Sequence, residues 1–340
     1  MVADSTLRPI RIEAGVRPLD VTRDLGDVVA LMQLAFGESL DPVARTALRD
    51  MRRLQAPTFW AWLERQAYWW SQPFPPGFVW VADGRVVGNA SIRPAEAPGG
   101  WVIGNVAVSP AYRRRGIGRA LMNAAIGLAE MRAGRWVALQ VEEGNENAQR
   151  LYLNMGFRAL GTLVRWTRET GAGQADGAPA KAAGLVRARR GGEWWREYEL
   201  AHSVQGPALA WIEPVHAQQF RPGFSVDLNR WLEGMIVHDG LAVVDGALVG
   251  AVRVWAPGLL SAREAREARL ELYVHPDWRG HVEAGLLAYG LRRLPRRGPV
   301  AVRVDAPAGE TATEEVLRAS GFTPVRALTT MRLDIKRGAA

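Results

Sequence analysis

Two glycines and a run of arginines are placed to bind phosphate at the end of the segment VIGNVAVSPAYRRRGIG, residues 102–118. Gly116 and Gly118 carry no Cβ, so a ligand can approach the backbone closely where a helix would begin. The N–H groups at a helix start lack intrahelical partners, and the helix dipole favours an anion there. The arginines around the glycines are Arg113, Arg114, Arg115 and Arg119. Because guanidinium groups pair with phosphate through a fork of donors, the turn is a candidate diphosphate site; a solvated basic turn is the alternative.

The residues on either side of this turn predict the elements that hold it. An apolar run rich in β-branched residues precedes Pro110 and predicts a strand. After the turn, apolar residues recur at helical spacing from Ile117 to Met131. Strand, loop and helix are therefore expected to follow one another here.

A second motif, NxxAxxLYxxxGF, begins about thirty residues after the arginines. Its fixed residues are Asn145, Ala148, Leu151, Tyr152, Gly156 and Phe157. With the Arg113-x-x-Gly116-x-Gly118 spacing before it, the pair of motifs resembles the GNAT superfamily of N-acyltransferases, over roughly residues 14–168. The resemblance implies an α/β (α+β) fold, with a mixed, splayed, mostly antiparallel sheet and helices on both faces.

The resemblance also implies how acetyl-CoA would be held. Backbone groups of the strand would pair with the pantetheine arm, and N–H groups of the loop would hold the pyrophosphate. The residues it assigns to binding acetyl-CoA are Val106, Ala107, Val108, Arg113, Arg114, Arg115, Gly116, Ile117, Gly118, Arg119, Asn145 and Tyr152.

The catalytic roles follow from the same resemblance and leave alternatives open. Tyr152 matches the general acid that protonates the leaving thiolate; a half-buried aromatic residue is the structural alternative. Asn145 matches a hydrogen-bond partner of the pantetheine arm, and it can equally cap a helix. Glu142 and Glu143 are candidate bases that would deprotonate the amine, with a relayed water as the other candidate.

Other patterns predict the remaining elements of the first half. Thr22 is expected to cap a helix after a first strand, and Asp83-Gly84 is expected to turn a hairpin. The predicted elements are a strand at Val16–Val21, hairpin strands at Phe78–Ala82 and Val86–Ile92, a fifth strand at Trp136–Val141, a helix at Asn145–Met155 and a last strand at Arg158–Arg168.

An aromatic segment, residues 57–80, follows a predicted helix at Asp41–Arg53. The spacing of its rings predicts a helix with aromatic groups over more than half of its circumference. Packing against the sheet or a second domain is one interpretation. An apolar or aromatic wall of the acceptor site is the other.

The composition limits the class of protein. A chain of 340 residues is about twice a typical domain, and residues 169–183 have the composition of a flexible linker, which predicts domains at 1–168 and 184–340. The absence of cysteine excludes disulfides and cysteine metal sites, and no metal is expected. Without an apolar run of roughly twenty residues or a signal peptide, a cytoplasmic protein with no membrane partner is expected.

The formal net charge of +8 comes almost entirely from arginine, since Lys181 and Lys336 are the only lysines. These arginines are scattered and accompany much alanine and glycine, which indicates a codon bias as much as a selected surface. We therefore do not expect nucleic acid to be the partner.

The second half of the chain repeats the first at spacings of 162, 166 and 165 residues. The repeated pairs are Val81–Gly88 with Val243–Gly250, Val106–Arg113 with Leu272–Arg279, and Leu151–Phe157 with Val316–Phe322. Two tandem copies of one fold are therefore predicted.

The second copy has lost the residues that would bind acetyl-CoA. Val282 is predicted to stand where Gly116 stands and to block close approach of a ligand, and Glu283 brings a negative charge that repels a diphosphate. The other replacements are Glu310 for Asn145 and Leu317 for Tyr152. We expect this copy to close the acceptor cleft rather than to bind acetyl-CoA in this mode.

Together these patterns predict an acetyl-CoA-dependent N-acetyltransferase that is active in its N-terminal domain. The expected acceptor is a primary amine of a small molecule or peptide, and the expected state is a monomer or homodimer. The alternative is a noncatalytic acyl-CoA-binding regulatory protein, because no residue is a convincing base.

Overall fold

The computed structural model describes residues 14–36, 77–170, 186–206, 210, 214–223, 235–258, 267–295 and 300–335. The predicted helix at 41–53 lies outside the described residues. So does the aromatic segment up to residue 76, whereas residues 77–80 form part of a strand. The predicted linker lies outside them too, except for Glu169 and Thr170, which end a strand.

The described residues form mixed α/β structure. The strands are β1 (Ala14–Pro18), β2 (Gly77–Ala82), β3 (Arg85–Pro94), β4 (Gly100–Val108), β5 (Trp136–Glu142), β6 (Arg158–Thr170), β7 (Val186–Ala188), β8 (Met235–Val244), β9 (Ala247–Pro257), β10 (Glu267–Val274), β11 (Val300–Pro307) and β12 (Thr323–Asp334). The helices are α1 (Val21–Phe36), α2 (Ile117–Met131), α3 (Glu146–Leu153), α4 (Trp194–Val204), α5 (Ala217–Phe220), α6 (Glu283–Arg292) and α7 (Thr311–Ala319).

The chain divides into two compact units, residues 1–139 with 334–340 and residues 140–333. In the first unit the strand order is β1-β2-β3-β4-β5. The first three pairings are antiparallel, and β4 pairs with β5 in parallel. The predicted hairpin is confirmed, because Asp83 and Gly84 join β2 to β3 with φ angles of 51° and 72°.

Helices cover both faces of this sheet. On one face, α1 buries Val29 and Leu31 against Val79 of β2. On the other, α2 buries Ile117 and Leu121 against β3. Burial of each such side chain stabilises the fold by roughly 1.5–3 kcal/mol, so these two apolar stripes fix the strand, loop and helix around the candidate site.

The start of the chain differs from its prediction. The first strand ends at Pro18 rather than at Val21, and α1 already begins at Val21. The cap is Asp20 rather than Thr22, because an Asp20 carboxylate oxygen accepts hydrogen bonds from the backbone N–H of Thr22 at 3.0 Å and from its hydroxyl at 2.7 Å. A carboxylate also suits the positive end of the helix dipole better than a hydroxyl does.

The second unit repeats this architecture. Its strand order is β12-β6-β11-β10-β9-β8-β7, and β10 and β11 are parallel, as β4 and β5 are. The pairings of β7 to β8, β8 to β9 and β9 to β10 are antiparallel. Helix α6 buries Leu286 against one face, and α4 buries Leu200 against the other. The predicted tandem repeat of a mixed α/β fold, with helices on both faces of the strands, is confirmed.

Strand β6 pairs with two strands of the second half. Its residues 163–170 lie antiparallel to β11, and residues 158–167 lie antiparallel to β12. The last strand of the predicted first domain is therefore hydrogen-bonded within the second unit. The domain boundaries at residues 168 and 184 are derived from the sequence repeat and stay a prediction. The compact units are consistent with the strand pairing instead, because β6 lies in the second unit with β11 and β12.

A buried charged cluster lies beneath α4 in the second unit. Asp239 makes ion pairs with Arg253 at 2.8 Å and with Arg189 at 2.7 Å. Glu197, which is 0% exposed, makes an ion pair with Arg189 at 3.2 Å but accepts no hydrogen bond from the described residues. Burial, with the negative charge of Asp239 adding to it, raises the pKa of Glu197 to about 8, although Arg253 and Arg189 oppose the shift.

We expect the free energy of unfolding to fall as the pH rises from about 5 to 8, on the order of 3 kcal/mol from Glu197 alone. The folded chain keeps this proton up to the raised pKa, whereas the unfolded chain releases it near 4.5, so the folded state binds more protons in this window. Urea unfolding of Glu197→Gln should show a flatter pH dependence. Glu199→Gln changes the same charge at an exposed position of α4 and is the control. An unchanged slope in Glu197→Gln would contradict this assignment.

Candidate functional site

The loop between β4 and α2 has the backbone that a close ligand approach requires. A 3₁₀ turn at Pro110–Tyr112 follows β4, and α2 begins after Gly116. Gly116 has φ 79°, a left-handed conformation that favours glycine. A Cβ added there would meet no atom within 4 Å, so this side of the loop is open. Glycine is needed here for its conformation, and the open side leaves room for a ligand.

The start of α2 has no internal acceptor. No side chain of the described residues caps the helix, and its first turn contains no acidic residue. The first bond back to the loop runs from Ala120 N to Gly116 O at 3.0 Å, so the N–H groups of Ile117, Gly118 and Arg119 have no partner within the helix. These donors and the helix dipole are available to an anion.

The four predicted arginines surround this helix start, and all of them are exposed. Two are held by the backbone, since Arg113 Nε donates to Val108 O at 3.2 Å and Arg115 Nη2 to Ala111 O at 3.1 Å. Among the described residues, no carboxylate forms an ion pair with Arg113, Arg114, Arg115 or Arg119. Their charge is therefore not neutralised within this part of the chain.

Strand β4 separates from β5 before it reaches the loop. Its pairing with β5 covers only Gly100–Val102, opposite Trp136–Ala138, and beyond Val102 its described partner is β3. Asn105 has φ 52° and lies in a bulge, where the register with β3 shifts. The predicted splay is therefore present, and it leaves the β5-facing edge of Val106, Ala107 and Val108 without a strand partner among the described residues.

Asn89 of β3 holds this bulge, a role that no sequence motif indicated. Its side chain is 2% exposed, and Nδ2 donates to Asn105 O at 2.9 Å. Its Oδ1 accepts no hydrogen bond from the described residues. Leaving Asn89 Oδ1 buried without a partner costs free energy. Because the fold accepts this cost and keeps the bond from Asn89 Nδ2 to Asn105 O, the bulge is a feature that the fold maintains.

The second motif forms helix α3 and lies in the second unit. Asn145 is the N-cap, and its Oδ1 accepts from Ala148 N at 3.1 Å, so its capping role is confirmed while Nδ2 stays available. Tyr152 is 5% exposed and packs against Phe157, with ring centroids 5.9 Å apart. Burial raises the pKa of Tyr152 to about 12, so the hydroxyl keeps its proton at neutral pH.

The two candidate bases differ in their surroundings. Glu142 is half-buried, and its Oε1 lies 2.9 Å from Arg326 Nε, an ion pair that is not aligned as a hydrogen bond. Glu143 is exposed, and its backbone N–H donates to Ala327 O at 2.9 Å. The predicted site residues therefore form two groups. The loop and β4 residues lie in the first unit, and Glu142, Glu143, Asn145 and Tyr152 lie in the second.

In the second half, a carboxylate occupies the anion position at the helix start. Glu283 is 0% exposed, and its two oxygens accept from Gly280 N at 2.8 Å and Val282 N at 3.2 Å. Arg279, the counterpart of Arg113, makes an ion pair with Glu310 at 3.3 Å. These donors are already paired with carboxylates of the same chain.

The predicted role of Val282 is wrong. A Cβ on Gly250 would meet Val282 and Leu286, just as a Cβ on Gly88 would meet Ile117 and Leu121. Val282 is thus the counterpart of Ile117, not of Gly116, and its side chain is buried in the core instead of facing a ligand. The second loop is one residue shorter than the first, which makes Glu283 the counterpart of Gly118.

Among the described residues, no three His, Asp or Glu side chains lie close enough together to hold a metal ion. Within the same residues, no helix has the length and apolar character needed to cross a membrane.

Comparison with known proteins agrees with this arrangement. The profile of the acetyltransferase (GNAT) family matches residues 44–157. The N-alpha-acetyltransferase RimI of Mycobacterium tuberculosis (strain ATCC 25618 / H37Rv) is 32% identical over 125 residues, which cover 32% of this chain and 77% of RimI.

Solved structures share the fold over nearly the whole chain. A tandem GNAT protein from the clavulanic acid biosynthesis pathway is 20% identical, with a TM-score of 0.56, over 96% of this chain and 100% of that one. A GCN5-related N-acetyltransferase from Sphaerobacter thermophilus is 17% identical, with a TM-score of 0.62, over 96% and 98%. The chain belongs to the acetyltransferase (GNAT) family, and it is an N-acetyltransferase.

Proposed function

We propose that this N-acetyltransferase moves the acetyl group of acetyl-CoA to a primary amine of a small molecule or peptide. The observation that carries the proposal is the start of α2, where the first N–H groups have no partner within the helix and four exposed arginines have no ion-pair partner among the described residues. This combination suits a diphosphate. The unpaired edge of β4 suits the amide-containing pantetheine arm, which can lie there as a further strand.

The proposed reaction is a direct transfer. The lone pair of a neutral amine attacks the thioester carbonyl carbon, a C–N bond forms, and the C–S bond breaks. The amine proton passes to Glu143, Glu142 or a water, and the thiolate takes the hydroxyl proton of Tyr152. Glu143 is the more accessible of the two carboxylates, because it is exposed whereas Glu142 forms an ion pair with Arg326.

The second half does not bind acetyl-CoA in this mode under the same proposal. The N–H groups that would hold its diphosphate are bonded to Glu283, and Arg279 is paired with Glu310. A diphosphate would have to displace a buried carboxylate whose charge repels it. One acetyl-CoA per chain is therefore expected.

A peptide amino terminus is the first acceptor to test, since the relative RimI is named as an N-alpha-acetyltransferase. Small-molecule amines stay in the proposal, as do the cytoplasmic location and the monomeric or homodimeric state.

The test measures coenzyme A thiol released from acetyl-CoA with a panel of amines. The panel contains peptides with free amino termini, matched peptides with blocked amino termini, polyamines and aminoglycosides. We expect release above the amine-free rate with at least one free amine and none with the blocked peptides. Binding of acetyl-CoA without release for any amine would contradict transfer to an amine, and absence of binding would contradict acetyl-CoA as the donor.

A further inference from the structure

A hydrogen bond ties the candidate diphosphate loop to a neighbouring hairpin turn. The Tyr112 hydroxyl donates to Asp83 Oδ2 at 2.7 Å. Asp83 lies in the turn between β2 and β3 with φ 51°, and Tyr112 ends the 3₁₀ turn that leads into the arginines. Two segments that are distant in sequence are thereby fixed to each other beside the start of α2.

Tyr112 in turn holds one of the arginines. Its ring packs against the apolar cluster that contains Val87 and Ile117. The guanidinium of Arg115 lies over this ring, 5.0 Å from the centroid, while Nη2 donates to Ala111 O. A cation over an aromatic face is attracted by the ring quadrupole, so the position of Arg115 depends on the position of the ring.

The second half provides an internal comparison. Its hairpin turn keeps the aspartate, Asp245, with φ 48°. The counterpart of Tyr112 is Trp278, which has no hydroxyl, and Trp278 contacts His281 edge-on with centroids 6.2 Å apart. Within the described part of this half, whose anion position is filled by Glu283, neither the hydroxyl link nor an arginine stacked on the counterpart ring is present.

We propose that Asp83 is a positioning residue for the diphosphate of acetyl-CoA, acting through Tyr112 on the loop and on Arg115. This rests on the proposed function. The link holds the loop and one guanidinium in the bound arrangement before acetyl-CoA arrives, which removes part of the ordering cost of binding. Neither residue takes part in the chemistry, so the effect falls on affinity and not on turnover.

The sign of the change in acetyl-CoA affinity distinguishes a positioning role of Asp83 from a purely electrostatic one. A carboxylate near a diphosphate site disfavours the anion through space, so removing the charge of Asp83 alone would tighten binding. A positioning role predicts weaker binding of acetyl-CoA instead, because the neutral amide of Asp83→Asn accepts a weaker hydrogen bond from Tyr112. Asparagine also tolerates a positive φ, so the turn itself is preserved.

The experiment measures the dissociation constant for acetyl-CoA by calorimetry, with KM and kcat from thiol release, in the full-length chain. Tyr112→Phe keeps the ring and removes only the hydroxyl. We expect it to raise the dissociation constant about 3- to 10-fold with kcat unchanged, as for the loss of one hydrogen bond. Asp83→Asn should raise it to a smaller extent, and adding it to Tyr112→Phe should cause no further increase.

Asp245→Asn is the matched control in the turn of the second half, and it should leave the dissociation constant unchanged. An unchanged dissociation constant in Tyr112→Phe, or tighter binding in Asp83→Asn, would overturn the inference while wild-type binding upholds the proposed function. A fall in kcat with KM unchanged would overturn it as well. If the wild type does not bind acetyl-CoA, the proposed function fails first and the inference fails with it.

Discussion

Replacing Gly118 by glutamate is expected to weaken acetyl-CoA binding by about 100-fold or more while the fold stays intact, which corresponds to roughly 3 kcal/mol. The reason is present in the chain itself. Glu283, the counterpart of Gly118, bonds the loop N–H groups with its own carboxylate. A glutamate at position 118 would occupy the same donors in the first half and would repel the incoming diphosphate.

The measurement is calorimetric titration with acetyl-CoA, accompanied by thermal unfolding. Gly118→Ala separates the effect of a Cβ from that of the charge, and it should lose much less affinity than Gly118→Glu. Asn123→Glu adds the same charge at an exposed position further along α2 and is the control. Wild-type affinity in Gly118→Glu would show that the start of α2 does not hold the diphosphate, and the proposed function would lose its main support.

Local sequence chemistry predicted the parts of the site that depend on neighbouring residues. Asp83-Gly84 specifies its tight turn because both residues tolerate a positive φ, and Asn145 specifies a helix start because its side chain can accept a bond from three residues ahead. The strand, loop and helix around Gly116 were predictable for the same reason. Each of these features is decided within a few residues.

Features set by distant residues were not predictable. The residues of β6 do not indicate its pairing with β11 and β12, because the same strand sequence can pair with different neighbours. The repeat spacing shows that the loop before the helix differs in length between the two halves, but it does not show which residue is missing. From the sequence alone, Val282 therefore aligns with Gly116. Its packing against Gly250 identifies it as the counterpart of Ile117. The bond between Tyr112 and Asp83 was missed for the same reason, because it joins two turns across the sheet.

Removing the hydroxyl of Tyr152 is expected to lower kcat about 100- to 1,000-fold and to change KM for acetyl-CoA by less than about 3-fold. Phenylalanine keeps the ring packing against Phe157, so the variant loses the proton donor and little else. Because the pKa of Tyr152 is raised to about 12, the protonated form that the role requires is lost only as the pH rises toward that value. A wild-type decline in kcat between pH 7 and about 10 must therefore come from another group.

The control for Tyr152→Phe is Tyr289→Phe, which removes the hydroxyl of another buried tyrosine, one that contacts Asp239 O at 3.3 Å. It should leave kcat unchanged, because nothing places Tyr289 in the reaction. A Tyr152→Phe enzyme that binds acetyl-CoA and turns over at the wild-type rate would remove the general-acid role and leave the hydroxyl a structural group. A large loss confined to kcat would instead show that Tyr152 acts on turnover, whereas Gly118→Glu acts on the affinity for acetyl-CoA.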